Sequence, residues 1–108
     1  MVEIKNYNEL ESIFNNNKDK MVVVDFYANW CSPCRSLGET LSSLTEEESK
    51  DIFIVKVNVD EVDDLTRIYP VRSIPVLLYF KDGNLLERTT GNMDKITFLG
   101  KVKEILER

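Results

Sequence analysis

Cys31 and Cys34 are the only cysteines in this chain, and they stand three residues apart in Trp30-Cys31-Ser32-Pro33-Cys34-Arg35. Across one helical turn that spacing brings two sulfurs within disulfide reach. The motif lies between a segment that reads as a strand and one that reads as a helix. A cysteine at a helix N-terminus meets unpaired N–H groups and the positive end of the helix dipole, which stabilise a thiolate. The thiolate is the attacking species in disulfide exchange. Cys34, inside the first turn, is expected to be the more buried and to act second, on the mixed disulfide that Cys31 forms. Three readings compete: an inert buried pair, half of a zinc site, and a redox dithiol. An inert pair has no reason to choose a strand–helix junction. Zinc needs two more ligands, and the chain has no histidine and no third cysteine, so only a metal shared between two copies fits. The redox dithiol is retained.

The missing histidine also removes the commonest general base and any Ser-His-Asp or Cys-His machinery. Carboxylates and lysines remain. Asp25 stands inside the apolar run of residues 21–28. Burying an unpaired carboxylate raises its proton affinity. Such an acid beside the dithiol can take the Cys34 proton as Cys34 attacks, and return it in reverse. The alternative is a water-facing Asp25 on an edge strand, and Val22, Val23, Val24 and Phe26 argue against an edge. Lys56 sits in a second apolar run, residues 52–59, where a lysine can bury its stem and keep its amine in water.

The elements that must position these groups follow from periodicity. Asn6 and Asn8 each have a glutamate three residues on, so either can open a first helix with Leu10, Ile13 and Phe14 on one face. Residues 15–20 (Asn-Asn-Asn-Lys-Asp-Lys) read as a loop. Residues 21–28 and 52–59 are β-branched, apolar and short, as strands buried on both faces are. Between them Pro33 fits the first turn of a helix whose buried stripe is Leu37, Leu41 and Leu44. Residues 63–69 form a short helix stopped by Pro70. Residues 75–81 form a strand, and Asp82-Gly83 turns it into a second, residues 85–90. Asn92 is expected to cap a last helix, with Ile96, Leu99, Val102, Ile105 and Leu106 as its apolar positions and Asp94 in its first turn. Residues 2–5 can add a strand. Crossover helices imply parallel pairing early on, and the late hairpin is antiparallel. The expected architecture is α/β: a mixed sheet with helices on both faces.

The chain has 108 residues, 43% of them hydrophobic, which suits a single domain over 1–108. A core of that size folds without disulfide staples. Net charge is −5, with no basic patch, which excludes an ordinary nucleic-acid binder. No run approaches the about 20 apolar residues of a membrane span. The first residues lack the apolar stretch of a signal peptide, so for a complete chain the expectation is the cytoplasm.

Residues 24–35 (Val-Asp-Phe-Tyr-Ala-Asn-Trp-Cys-Ser-Pro-Cys-Arg) resemble the thioredoxin family. Lys56-Val57-Asn58-Val59-Asp60, Arg72-Ser73-Ile74-Pro75-Val76, Lys81-Asp82-Gly83 and Gly91 keep the family's spacing. The likeness runs from about residue 2 to 106. It implies the thioredoxin fold and a thiol–disulfide oxidoreductase that reduces protein disulfides without a bound cofactor. Electrons then come from NADPH through a thioredoxin reductase, and the partners are that reductase and disulfide-containing proteins. A monomer is expected, with no metal, nucleic acid or membrane.

Residue by residue, the resemblance makes Cys31 the nucleophile, Cys34 the resolving thiol and Asp25 the buried proton acceptor and donor. It places Lys56 near Asp25, tuning it. It makes the Ile74–Pro75 bond cis, with Pro75 facing the dithiol. Trp30, Ser32, Pro33, Val59, Ser73, Ile74, Gly91 and Asn92 become the substrate-docking surface. Gly91 also reads simply as a turn glycine. Departures are Ser32 for the usual glycine, Arg35 for lysine, Pro70 for a frequent glycine, and Glu39 where a helix-kinking proline is usual. The Ser32 hydroxyl, by donating towards a thiolate, is expected to make the couple modestly more oxidising. A disulfide isomerase or oxidase, and a redox-dependent binding subunit using the same surface, are the alternative readings. Isomerases and oxidases tend to place a charged histidine between their cysteines, which Ser32-Pro33 lacks.

Overall fold

The computed structural model describes residues 1–108. In chain order it has β1 (Val2–Glu3), α1 (Tyr7–Asn16), β2 (Met21–Tyr27), α2 (Ser32–Ser42), β3 (Ile52–Asn58), α3 (Asp64–Ile68), β4 (Val76–Lys81), β5 (Asn84–Thr90) and α4 (Lys95–Leu106). The five strands lie in the order β1-β3-β2-β4-β5. β1 and β2 flank β3 in parallel, β4 pairs antiparallel with β2, and β5 with β4. This is the thioredoxin fold.

Side chains alternate across a strand, so the sheet buries two separate sets. Val22, Val24 and Phe26 of β2 face one way, under Leu10 and Phe14 of α1 and Leu65 of α3. Met21 and Val23 face the other way, under Leu37 and Leu41 of α2 and Phe98, Val102 and Ile105 of α4. By the same alternation Asp25 of β2 and Lys56 of β3 belong to the α2 and α4 face. The register places Asp25 directly across from Lys56, and Lys56 across from Glu3 of β1.

Local signals explain the boundaries. Asn6, not Asn8, caps α1: its side chain accepts from the Glu9 N–H at 3.0 Å. Asp82 and Gly83 take positive φ values of 50° and 79°, which turn β4 into β5. The last helix differs from the expectation. Asp94, not Asn92, is its cap and accepts from the Thr97 N–H at 2.8 Å. The helix therefore buries Phe98, Val102 and Ile105, while Ile96 is 83% exposed and Leu106 also lies at the surface. Leu44 falls beyond the end of α2 yet packs against the same core. Despite Glu39 in place of a proline, residues 32–42 form one helix.

Candidate functional site

β2 runs out at Tyr27, and after three intervening residues the chain turns into α2 at Cys31. Cys31 is the helix cap, with extended φ and ψ of −94° and 109°, and its Sγ accepts from the Cys34 N–H at 3.2 Å. Pro33 lies in the first turn, where its missing N–H leaves no helical bond unmade. Arg35 donates to the Asn29 carbonyl at 3.0 Å, tying the turn to the helix. Cys31 and Cys34 are joined in a disulfide, with Cα atoms 5.2 Å apart.

The expectation that Cys34 is the more buried needs correcting. The two are 5% and 4% exposed, so in the disulfide burial does not rank them. Their neighbourhoods do. Cys31 lines a cleft of 650 Å³ with Trp30, Pro33, Val59, Val71 and Ile74, and Ser32 and Ser73 complete the mouth. Cys34 lines a different pocket, with Tyr27, Gly38 and Lys56. The helix end and the open cleft coincide at Cys31 alone.

Residues 71–74 line the first cleft opposite the motif, and the Ile74–Pro75 bond follows them. That peptide bond is cis, and the Ile74 carbonyl oxygen lies 3.9 Å from Cys31 Sγ. Gly91 donates its N–H to the Pro75 carbonyl at 2.8 Å, holding the start of β4 to the end of β5. Its φ of +93° favours glycine, and the space a side chain would take is open. The positive φ fits the turn reading of Gly91, which is not among the residues that line the cleft. Asn92 is exposed and stands outside the lining of the cleft. Trp30 is 71% exposed, and its indole N–H donates to Asp60 at 2.9 Å. Asp60 was not singled out in the sequence. Its only signal is that it ends the stretch 56–60 that keeps the family's spacing.

Asp25 is fully buried on the sheet face that α2 and α4 cover, and neither carboxylate oxygen has a hydrogen-bond partner. Burial pushes its pKa up to about 7; the charge of Lys56 opposes the rise, and that of Glu3 adds to it. A carboxyl poised there exchanges protons near neutrality. Lys56 does not simply reach for water. Its Nζ rests 4.2 Å from the centre of the Tyr27 ring, close to Gly38 of α2. The Tyr27 hydroxyl donates to both oxygens of Glu3, at 2.8 and 2.9 Å. Tyr27 reads in the sequence as one aromatic in place of another, of little consequence, and Glu3 carries no signal there, because only the β1-β3-β2 register brings them together. No three His, Cys, Asp or Glu side chains gather where a metal ion would sit.

A disulfide that opens a helix beside an open cleft, on a sheet that buries an unpartnered acid, points to a class: thiol–disulfide oxidoreductase. The Thioredoxin family model matches residues 1–104. Thioredoxin-T of Drosophila melanogaster is 41% identical over 97 residues, covering 89% of this chain and 62% of that protein. The thioredoxin of Mycoplasmoides gallisepticum is 38% identical over 107 residues, covering 99% and 100%. The X-ray structure of Fasciola hepatica thioredoxin superposes with a TM-score of 0.87 at 29% identity, covering 96% of this chain and 98% of that one. The chain belongs to the thioredoxin family, whose members reduce protein disulfides and need no bound cofactor.

Proposed function

We propose that this chain works as one domain that reduces protein disulfides with Cys31 as nucleophile and Cys34 as resolving thiol. In the reduced protein the Cys31 thiolate attacks one sulfur of a substrate disulfide. The substrate's other sulfur leaves as a thiolate, and Cys31 holds a mixed disulfide. Cys34 gives its proton to the Asp25 carboxylate and attacks the Cys31 sulfur. The second substrate sulfur departs as a thiolate, and the Cys31–Cys34 disulfide forms. Two electrons have passed from the dithiol to the substrate. Lys56 tunes the proton affinity of Asp25. Trp30, Pro33, Val59, Ser73 and Ile74 line the cleft that takes an extended substrate segment, Pro75 backs it, and Gly91 and Asn92 border it. A thioredoxin reductase, drawing on NADPH, restores the dithiol. The setting we propose is the cytoplasm, with the protein a monomer that carries electrons between the reductase and its substrates. The observation that supports this most is the split surroundings of the disulfide: only Cys31 opens on the large cleft.

The test is reduction of insulin disulfides by the full chain with NADPH and a thioredoxin reductase. Sustained NADPH consumption that disappears in Cys31→Ser is expected. If dithiothreitol in place of the reductase also fails to drive insulin reduction, the reductase reading is wrong.

A further inference from the structure

Three strands place Glu3, Lys56 and Asp25 in one lateral row, each across from the next. A free lysine in such a row has two carboxylates to choose from, and solvent besides. Here neither carboxylate forms an ion pair with it. Glu3 instead accepts from the Tyr27 hydroxyl with both oxygens. That contact fixes the Tyr27 ring, and the Lys56 ammonium sits on the ring's face at 4.2 Å. An ammonium over an aromatic face is attracted by the ring's negative quadrupole. Gly38 of α2 is also near, since a Cβ there would lie 3.9 Å from Nζ, at ordinary contact distance. Lys56 thus lines, with Tyr27 of β2 and Gly38 of α2, the pocket that Cys34 also lines.

We propose that Tyr27, anchored by Glu3, is a positioning residue that holds the Lys56 ammonium on the Asp25 side of the dithiol and so sets the pH range over which Cys34 resolves mixed disulfides. The inference rests on Asp25 being the proton acceptor of that step. The charged and titratable groups that act on Asp25 are Lys56 from β3 and Glu3 from β1, with Tyr27 on its own strand, and Cys34 of α2 lines the pocket that holds Lys56. Arg35 and Glu39 of α2 line the same pocket as Lys56. From β4 the neighbour is Leu77, which carries no charge. Lys56 is therefore the cation whose placement matters most, and it favours the carboxylate form of Asp25. Releasing it to solvent raises the proton affinity of Asp25. Glu3 has two opposed effects, as anchor and as anion, so it is the wrong residue to substitute first.

The experiment is a titration of the Asp25 carboxyl carbon by NMR in the oxidised, full-length protein. Tyr27→Leu and Tyr27→Phe are each made alone and in a Lys56→Met background. Tyr27→Leu is expected to move the midpoint up by about half a pH unit, the scale of a partly exposed cation–aromatic contact. Tyr27→Phe keeps the ring but frees it from Glu3, and is expected to move it less in the same direction. In the Lys56→Met background neither is expected to raise the midpoint further. No rise in either single variant, or an equal rise without Lys56, overturns the proposal. Tyr27→Phe decides the matter alone if Tyr27→Leu does not fold. The second readout is the resolving step itself. Reduced protein is mixed with dithiobis(nitrobenzoate): Cys31 takes one aryl thiol and releases the other. Cys34 then displaces the bound one. The pH profile of that second release is expected to follow the NMR midpoint. If the midpoint moves and the profile does not, the positioning stands and the proton role of Asp25 fails.

Discussion

The two sulfurs of one disulfide face opposite surroundings. On the Cys31 side the wall is exposed Trp30, Val59 and Ile74 around an open cleft, with the helix terminus aimed at the sulfur. On the Cys34 side lies a lysine set on a tyrosine ring, and across the strand pair from that lysine is a buried, unpartnered carboxyl. The sulfurs are equally buried, so exposure does not rank them, and the division of work proposed for them rests on neighbouring groups: a cleft for another chain on one side, a place for a proton on the other.

The largest effect tests that division directly. Cys34→Ser is expected to arrest turnover and leave the protein covalently joined through Cys31 to substrate carrying a disulfide. Cys31→Ser is expected to lose turnover to background and accumulate no adduct. Mass spectrometry of quenched reactions distinguishes the two, and adducts through Cys34 in equal amount would erase the comparison.

Next comes Asp25→Asn. The folded protein keeps the Asp25 proton up to about pH 7, whereas an unfolded aspartate loses it near 3.8. Between those values the folded state binds more protons, so stability from this group falls as pH rises and levels off above about 7. The gap corresponds to about 4 kcal/mol, at about 1.4 kcal/mol per pH unit. Asp25→Asn is therefore expected to be markedly more stable than the parent at pH 8 and to lose that advantage towards pH 4. Urea midpoints at the two pH values measure it. The same variant is expected to slow the Cys34 step and leave the first attack by Cys31 nearly unchanged.

On the open side, Trp30→Ala is expected to change stability by less than about 0.5 kcal/mol, since the ring is mostly in water. Its effect is expected in KM for protein substrates, rising several-fold, with little change for a small disulfide. The smallest effect belongs to Ser32, whose side chain makes no hydrogen bond within the oxidised protein and lines the cleft mouth. A hydroxyl donating to the Cys31 thiolate would stabilise the reduced form. Ser32→Gly is then expected to lower the potential by something on the order of 10 mV, measured against glutathione. An unchanged potential removes Ser32 from the account.

Much of the comparison was legible in the chain itself. A C-x-x-C between an apolar run and a helix with proline in its first turn marks the dithiol without any fold, and Asp25 is conspicuous because its neighbours are all apolar. The cis bond before Pro75 came from family likeness, since a strand-opening proline reads as ordinary. What stayed hidden depends on register. Tyr27, Glu3 and Lys56 come from three strands, and nothing in their local sequence says that β1 pairs with β3. Asp60 meets Trp30 only through tertiary structure. The last helix was misread for a simpler reason. Ile96, Leu99, Val102, Ile105 and Leu106 form a plausible stripe, of which Val102 and Ile105 are buried; Phe98 joins those two in the core, and capping by Asp94 goes with that face.

The central claim is that Cys31 attacks and Cys34 waits. Brief alkylation of the reduced full-length protein with iodoacetamide near pH 7, followed by peptide mass mapping, tests it most directly. The account predicts the carbamidomethyl group on Cys31, with Cys34 modified only after long exposure or unfolding. Cys34 labelled first, or both cysteines at equal rates, would contradict it.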